Sequence, residues 1–351
     1  MSWHMLRSGD ARRARGPMNR SPVTVVMPVY NAAPYLPAAL ASVLGQTHAD
    51  FLLLAIDDGS TDESPAILRA CADRRLRLVS RPHQGVAAAM RTALELADTE
   101  LVARADADDV YHPQRLARQV AFLRARPDVA IVGAAGRRLG HQLGGPVGAP
   151  RIRWTALYRS PMANTTIMFR RAAALAVGGY PHDHVHLDDY PFVSRLIDRF
   201  AAENLPDVLV TVTVHEDSVS RQFSREAIAE ADRVRRSNLK RLVDRADAVS
   251  GLFYLLAGGP PPPGFAPDQV QPLLDELIAR FHERYGHAPG LDRWIGRQLF
   301  ERALLHGETP SVLTRMLGLA LRLNRRLILD PRVARTLVWH LLGRRRRPSR
   351  P

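Results

Sequence analysis

The sequence predicts an α/β fold, a mainly parallel, doubly wound sheet flanked by helices and followed by an α-helical extension. Three observations predict it. Short β-rich apolar runs alternate with helical periodicities through the first 125 residues, two of those runs end directly in aspartate clusters, and from residue 223 long helical patterns take over.

Taken in order, Val23-Thr24-Val25-Val26-Met27 is a strand stopped by Pro28, and Leu36, Leu40, Val43 and Leu44 repeat at helical spacing with Pro37 in the first turn. Phe51 to Ile56 is a second strand. Ser64-Pro65 opens a helix with Ile67, Leu68 and Cys71 on one face. Leu76 to Val79 is a third strand, Val86, Met90, Ala93, Leu94 and Ala97 mark an amphipathic helix, and Leu101 to Arg104 is a fourth strand. A helix with Leu116, Val120 and Leu123 follows Pro113, and Val129 to Val132 returns as a strand. The stretch 140–150 reads as a mobile Gly-rich loop, and Val208 to Val214 as a last β-rich run before His215. In such sheets ligands bind beyond the carboxyl ends of the strands, so the residues after Ile56 and after Ala105 are expected to face one crevice.

The chain of 351 residues suits one sizeable α/β domain and a smaller unit. We expect a basic N-terminal stretch over 1–20, with Met18 a candidate natural start, the α/β domain over 21–222, and a helical region over 223–351. A proline-rich linker over 258–267 divides that last region, which ends in a basic tail. The net charge of +14 resolves into +4, 0 and +10 over these three segments. A neutral domain needs a metal or local dipoles to handle a charged substrate, while the basic tail is a candidate for an anionic membrane surface. Cys71, the single cysteine, excludes an internal disulfide and a thiolate zinc cluster. No apolar run reaches the roughly 18 residues of a spanning helix. A cytoplasmic enzyme, peripheral at the inner face of the plasma membrane, is the expectation, and no nucleic-acid motif is present.

Three acidic groups carry the chemistry. In Asp57-Asp58-Gly59-Ser60-Thr61-Asp62, a carboxylate at a strand's end can accept from a base imide or a ribose hydroxyl; the alternative is a polar turn capping the next helix. Asp106-Ala107-Asp108-Asp109 sets three acids in four residues, which repel unless solvated or neutralised by a hard cation shared with a diphosphate; a solvated turn is the alternative. Asp188-Asp189 opens a helix carrying Tyr190, Val193, Leu196 and Ile197, where acids either complement the helix dipole or provide a general base. His215 follows the last β-rich run and is either structural or a ligand. His182, His184 and His186 alternate at strand-like spacing, without a further partner that would make a zinc site.

Together the residues resemble family 2 of the inverting glycosyltransferases, whose fold is GT-A, a Rossmann-like sheet. The resemblance rests on Met27-Pro28-Val29-Tyr30-Asn31, Ser42-Val43-Leu44-Gly45-Gln46-Thr47, Asp57 to Asp62, Asp106 to Asp109, Pro113-Gln114-Arg115-Leu116, Gly178-Gly179-Tyr180, Asp188-Asp189-Tyr190 with Arg195, and His215 to Ser220. It covers residues 23 to about 222. It implies a nucleotide pocket bordered by Pro28, Val29, Tyr30 and Asn31, with Asp57 on the base and with Asp58, Arg104 and Asp106 among the nucleotide-binding residues. It further implies Asp108 as the ligand to Mn²⁺ or Mg²⁺, with Asp106 and His215 completing the metal shell. Asp189 takes the position of the general base and Asp188 a supporting one, where glutamate is usual. Met90-Arg91 departs from the Arg-Asn of many members.

The implied reaction is inverting, metal-dependent hexosyl transfer from a nucleotide-diphosphate sugar, a UDP-sugar by resemblance, to a glycan or glycolipid hydroxyl in cell-envelope polysaccharide or glycolipid synthesis. Arg293-Trp294 is preceded by Gly290, where a processive member would carry glutamine, so one sugar is expected per event. Two alternatives stand beside it. A sugar-phosphate nucleotidyltransferase would want a basic, Gly-rich loop, and residues 27–36 hold no Gly, Lys or Arg. A polyanion- or membrane-binding protein on a degenerate transferase fold would leave the acidic groups as turns.

Overall fold

The computed structural model describes residues 23–182, 188–215, 225–258, 261–303, 310–329 and 331. The expected N-terminal stretch, the boundary at 222, His184, His186, the 216–220 part of the last motif and the basic tail from 332 lie outside the described residues.

The first four strands and the three helices between them form as expected: β1 (Val23–Val29), α1 (Leu36–Leu44), β2 (Phe51–Asp57), α2 (Ser64–Ala70), β3 (Leu76–Ser80), α3 (Val86–Leu96) and β4 (Leu101–Arg104). Next come β5 (Val110–Tyr111), α4 (Arg115–Ala125), β6 (Val129–Arg138), β7 (His141–Leu143), α5 (Ala149–Ala156), β8 (Met168–Arg170), α6 (Arg171–Ala176), α7 (Asp189–Arg199) and β9 (Ala201–Val212). The chain continues with α8 (Arg225–Lys240), α9 (Ala246–Ala257), α10 (Val270–Tyr285), α11 (Leu291–Ala303) and α12 (Pro310–Leu323).

The described residues group into two compact units. The first comprises the chain to Leu143 together with 163–188 and 205–215. Its sheet runs β3-β2-β1-β4-β8-β6-β9-β5, with β7 on β6. The pairs β1–β2, β2–β3 and β1–β4 are parallel, whereas β8 is antiparallel to both β4 and β6, and β5 to β9. The parallel half is the doubly wound core, and the added strands make the sheet mixed. Because β2 and β4 flank β1 on opposite sides, the strand order reverses at β1, which opens a crevice at the carboxyl ends of β1 and β4.

Pro28 does not stop β1, which continues to Val29. The reason lies in its neighbours. Ala105 N–H donates to Val26 O, the last contact on the β4 side, and Asp58 N–H donates to Val29 O on the β2 side. By the alternation of a strand, Pro28 turns its missing donor toward the side where pairing with β4 has already ended. Helix α2 likewise ends at Ala70, one residue short of Cys71.

β6 runs six residues past its expected end through Gly133-Ala134-Ala135-Gly136, which carry little β propensity of their own but lie buried. Its turn to β7 has positive φ at Leu139 (48°) and Gly140 (80°), as a two-residue hairpin requires, so part of the expected mobile loop is ordered strand. Gly145 packs so closely that a Cβ would sit 1.7 Å from Pro161 O. β9 starts seven residues before its expected start, and the buried amide of Asn204 holds that extension by donating to Pro146 O (2.9 Å) and Pro161 O (3.0 Å).

The second unit joins 144–162 and 189–204 to the C-terminal helices. Trp154 and Leu157 from α5 and its exit are buried in one apolar cluster with Leu252, Phe281, Leu299 and Met316, and Trp154 meets Phe281 edge to face at 5.2 Å. Phe265, within the proline-rich stretch, packs on Tyr254 at 5.2 Å. Among the described residues no helix is long and apolar enough to cross a membrane. Since Phe281 is fully buried, Phe281→Ala is expected to cost about 3–5 kcal/mol, read from urea unfolding followed by circular dichroism. A loss under about 1 kcal/mol would deny the ring its place in that core.

Candidate functional site

Two loops meet at the carboxyl ends of β1 and β2. Asn31 takes a left-handed φ of 48°, which a short polar side chain tolerates, and its Oδ1 accepts from Thr61 N–H at 2.8 Å. In return the N–H groups of Asn31, Ala32 and Ala33 donate to Ser60 Oγ (3.1 Å), Ser64 Oγ (2.9 Å) and Asp62 Oδ2 (2.9 Å). The 57–64 run therefore scaffolds the Pro28 to Asn31 loop: Asp62 and Ser64, expected as caps of α2, tie loops together, and the helix starts after Glu63 without a side-chain cap.

The adjacent acids at the end of β2 have different surroundings. Asp57 is buried and accepts the Ser60 N–H at 3.0 Å. Asp58, 2% exposed, accepts from Gly85 N–H (2.8 Å) and Gln84 N–H (3.2 Å), with Arg81 Nε at 3.2 Å and His83 Nδ1 at 3.0 Å. Its carboxylate thus faces the loop between β3 and α3. Gly59, at φ 77°, lets that loop approach, since a Cβ there would lie 2.8 Å from His83 N. The His83 ring stacks on half-exposed Tyr30 with centroids 4.0 Å apart.

The carboxyl end of β4 gathers the second group. Arg104 is 5% exposed, and its Nε donates to Asp106 Oδ1 at 2.7 Å while Nη1 donates to Asp188 Oδ2. With its amide oriented to satisfy both partners, Asn164 accepts from Nη1 (2.7 Å) and Nη2 (3.1 Å). Buried Arg115 donates to Arg104 O at 2.6 Å and lies over the Tyr111 ring at 4.7 Å. The Tyr111 hydroxyl meets Thr165 Oγ1 at 2.7 Å and the Asp106 N–H. Asp109 accepts Thr213 N–H at 3.0 Å, and burial, with Asp106 and Asp108 nearby, pushes its carboxyl up to about 7.

Asp108 keeps 30% of its side chain exposed and lies 3.0 Å from His215 Nε2, whose ring stacks on Tyr35 at 4.3 Å. Among the described residues no group of three or more His, Cys, Asp or Glu side chains is arranged to hold a metal. Asp106, expected to share the metal, turns to Arg104 instead. Asp108 and His215 still fit a cation that takes its other ligands from phosphate and water, the usual mode for Mg²⁺ at phosphate sites, and imidazole also suits transition ions. Such a cation would offset the negative charge gathered by Asp106, Asp108 and Asp109.

Asp188 is buried against Arg104 and is the last residue of the first unit. Asp189 is partly exposed and is the first residue of α7, in the second unit, with its carboxylate in the first helical turn. The sequence reading assigned no part here to Tyr111, Asn164, Thr165, His83 or Tyr35. Arg115 did stand in a quoted motif, without a role; the signal for the others exists only in the folded contacts.

Asp58→Ala is expected to destabilise the protein by about 3–5 kcal/mol, because it strips a buried carboxylate from Arg81 and two N–H groups, whereas Asp57→Ala costs about 1 kcal/mol. Urea midpoints for the two variants read the difference, and equal losses would contradict the division of roles.

Residues 24–177 match the family described as Glycosyl transferase family 2. The amylovoran biosynthesis glycosyltransferase AmsE of Erwinia amylovora is 29% identical over 236 residues, which cover 63% of this chain and 85% of that protein. Among solved structures, S. aureus TarS 1–349 in complex with UDP-GlcNAc aligns at a TM-score of 0.51 and 18% identity over 85% of this chain and 90% of that one. The mannosyltransferase PcManGT from Pyrobaculum calidifontis, in complex with GDP-Man and Mn²⁺, aligns at 0.50 and 21% identity over 87% and 88%. At such identities the two structures establish the fold alone, which is GT-A. The family match spans the four parallel strands and the aspartate runs that end two of them, so residues 24–177 form a domain similar to glycosyltransferase family 2.

Proposed function

We propose that this glycosyltransferase is inverting, non-processive and metal-dependent, and that it moves a sugar from a nucleoside diphosphate, UDP in the first instance, to a hydroxyl of a glycan or glycolipid in surface polysaccharide synthesis. The observation that carries this reading is the Asp108–His215 pair at the carboxyl end of β4, in the crevice whose β1 side holds Tyr30 and whose neighbouring strand ends in Asp57. The AmsE relative, named for amylovoran biosynthesis, supports a polysaccharide pathway, and the TarS and PcManGT complexes support a nucleotide-sugar donor.

In this reading the loop from Pro28 to Asn31 and Asp57 hold the nucleoside, and Asp108 with His215 holds Mn²⁺ or Mg²⁺. The cation, when bound, stabilises negative charge on the departing diphosphate. Asp189 accepts the proton of the acceptor hydroxyl as that oxygen bonds to the anomeric carbon, and the bond from carbon to diphosphate breaks with its electron pair leaving on the nucleotide. Attack from the opposite face inverts the configuration, and the proton transfer contributes roughly 10² to 10⁴ in rate. Trp294 packs against the helical core and Arg293 O accepts from Asn324 at 3.0 Å, so the Arg-Trp pair has a structural setting consistent with single transfers.

An anionic membrane surface is the partner we propose for the C-terminal end. Ile328 (67% exposed) and Leu329 (82%) stand beside exposed Arg325 and Arg326. Residues 331–351 add seven arginines and no acid.

Release of nucleoside diphosphate from a panel of UDP-, GDP- and dTDP-sugars with Mn²⁺ or Mg²⁺ tests the transferase reading. One donor is expected to turn over only with metal, and Asp108→Ala and Asp189→Asn to lower kcat/KM by about 10² or more. No turnover and no donor binding by calorimetry would return the acidic runs to structural turns. Vesicle co-sedimentation tests the membrane partner: binding is expected to require anionic lipid and to fall at least tenfold in Ile328→Glu/Leu329→Glu, and equal binding by the variant would refute the contact.

A further inference from the structure

Arg104 was expected to bind the nucleotide. Its surroundings give it other work. The guanidinium lies at the end of a buried strand, and its donors go to Asp106 Oδ1, Asp188 Oδ2 and Asn164 Oδ1. Burying an arginine is costly unless it is paired and its N–H groups are satisfied, and here both conditions are met by the protein itself. Its carbonyl oxygen is held as well, by Arg115, whose Nε donates to Gln119 Oε1 at 3.1 Å, and Gln119 in turn donates to Thr166 O at 2.7 Å. The strand end is therefore fixed from both sides before any ligand arrives.

The two carboxylates it joins lie far apart in the chain. Asp106 belongs to the run that carries Asp108, and Asp188 is the residue immediately before Asp189. A fork-shaped guanidinium can serve two carboxylates and an amide oxygen at once; an ammonium has one nitrogen to share among them. Asp188, engaged in this way, is an anchored anion rather than a second base, which gives the adjacent acids separate roles.

We infer that Arg104 is a positioning residue, which ties Asp188, and so the chain entering α7 at Asp189, to the strand that carries the donor-side aspartates, and that it makes no contact with the donor. The inference rests on the transferase reading for its functional meaning, but one arm of its test does not. In the full chain, Arg104→Lys and Asp188→Asn are each expected to leave the Kd for UDP with Mn²⁺, or for the nucleotide the panel selects, within about threefold of wild type. Each should lower kcat at saturating donor by about a hundredfold, and the double variant should be no slower than the slower single, the mark of groups acting as a unit. Independently of turnover, exchange of the first hydrogen-bonded amides of α7, over 192–195, should accelerate at least tenfold in both variants while the β1 and β2 amides keep their protection.

A tenfold weaker Kd for the nucleotide with unchanged kcat would make Arg104 a donor contact and overturn the inference, as would unchanged exchange over 192–195. If Arg104→Lys fails to fold, Asp188→Asn carries the same readings. If wild type turns over no donor, the transferase reading fails, and the exchange arm still decides whether Arg104 holds the start of α7.

Discussion

Three carboxylates within four residues at the end of a buried strand repel one another, and the structure around β4 is organised by how each is neutralised. Asp106 faces Arg104, Asp109 accepts from the Thr213 N–H, and Asp108 lies beside His215. Arg104 belongs to β4 itself, while Thr213 and His215 both follow β9, so the arrangement depends on the pairing of β9 with β5 that brings that segment to the end of β4. The Tyr111 hydroxyl, between Asp106 and Thr165, closes the arrangement, and the short β5 exists to bring that ring in. Charge crowding is the constraint, and the mixed half of the sheet answers it.

The same division recurs at the other two aspartate pairs of the candidate site. Asp58 is drawn into the frame by Arg81 and the 84–85 N–H groups, while Asp57 beside it meets a single turn N–H. Asp188 is drawn in by Arg104, while Asp189 opens a helix with part of its surface exposed. Asp109 is inside and Asp108 partly out. A carboxylate locked in ion pairs and N–H bonds fixes a backbone turn and so helps to hold its neighbour in a defined place.

Much of this was legible in the sequence. The strands β1 to β4 declare themselves because β-branched and apolar residues run unbroken between turn signals, and their aspartate runs fall where a parallel sheet puts its ligands. β5, β7 and β8 are two or three residues long, too short to carry any period, and β6 passes through Gly-Ala-Ala-Gly, whose strand character comes only from burial between neighbours. Segments 144–162 and 189–204 could not be assigned to the helical unit from sequence, because what draws them there is Trp154 against Phe281 and Asn238 on Ala156 O, contacts that span 80 or more residues. The contacts of Arg104 and Asp58 within the protein were not legible for one reason. A charged residue at a strand's carboxyl end looks the same in sequence whether it faces a ligand or another part of the chain.

That last distinction bears on why a cation is expected at all. The arginines around the crevice face inward: Arg81 to Asp58 and Thr92, Arg91 to Pro181 O, Arg104 to two aspartates, and Arg115 to a backbone carbonyl. A diphosphate brought to the ends of β1 and β4 would meet a crowded group of carboxylates, where burial first and the charges of Asp106 and Asp108 second raise Asp109. In a domain of zero net charge over 21–222 there is no broad positive field to offset this. In the proposed reading neutralisation is local and arrives with the donor: Asp108 and His215 would hold a divalent ion, which would supply the positive charge without recruiting any arginine from the frame.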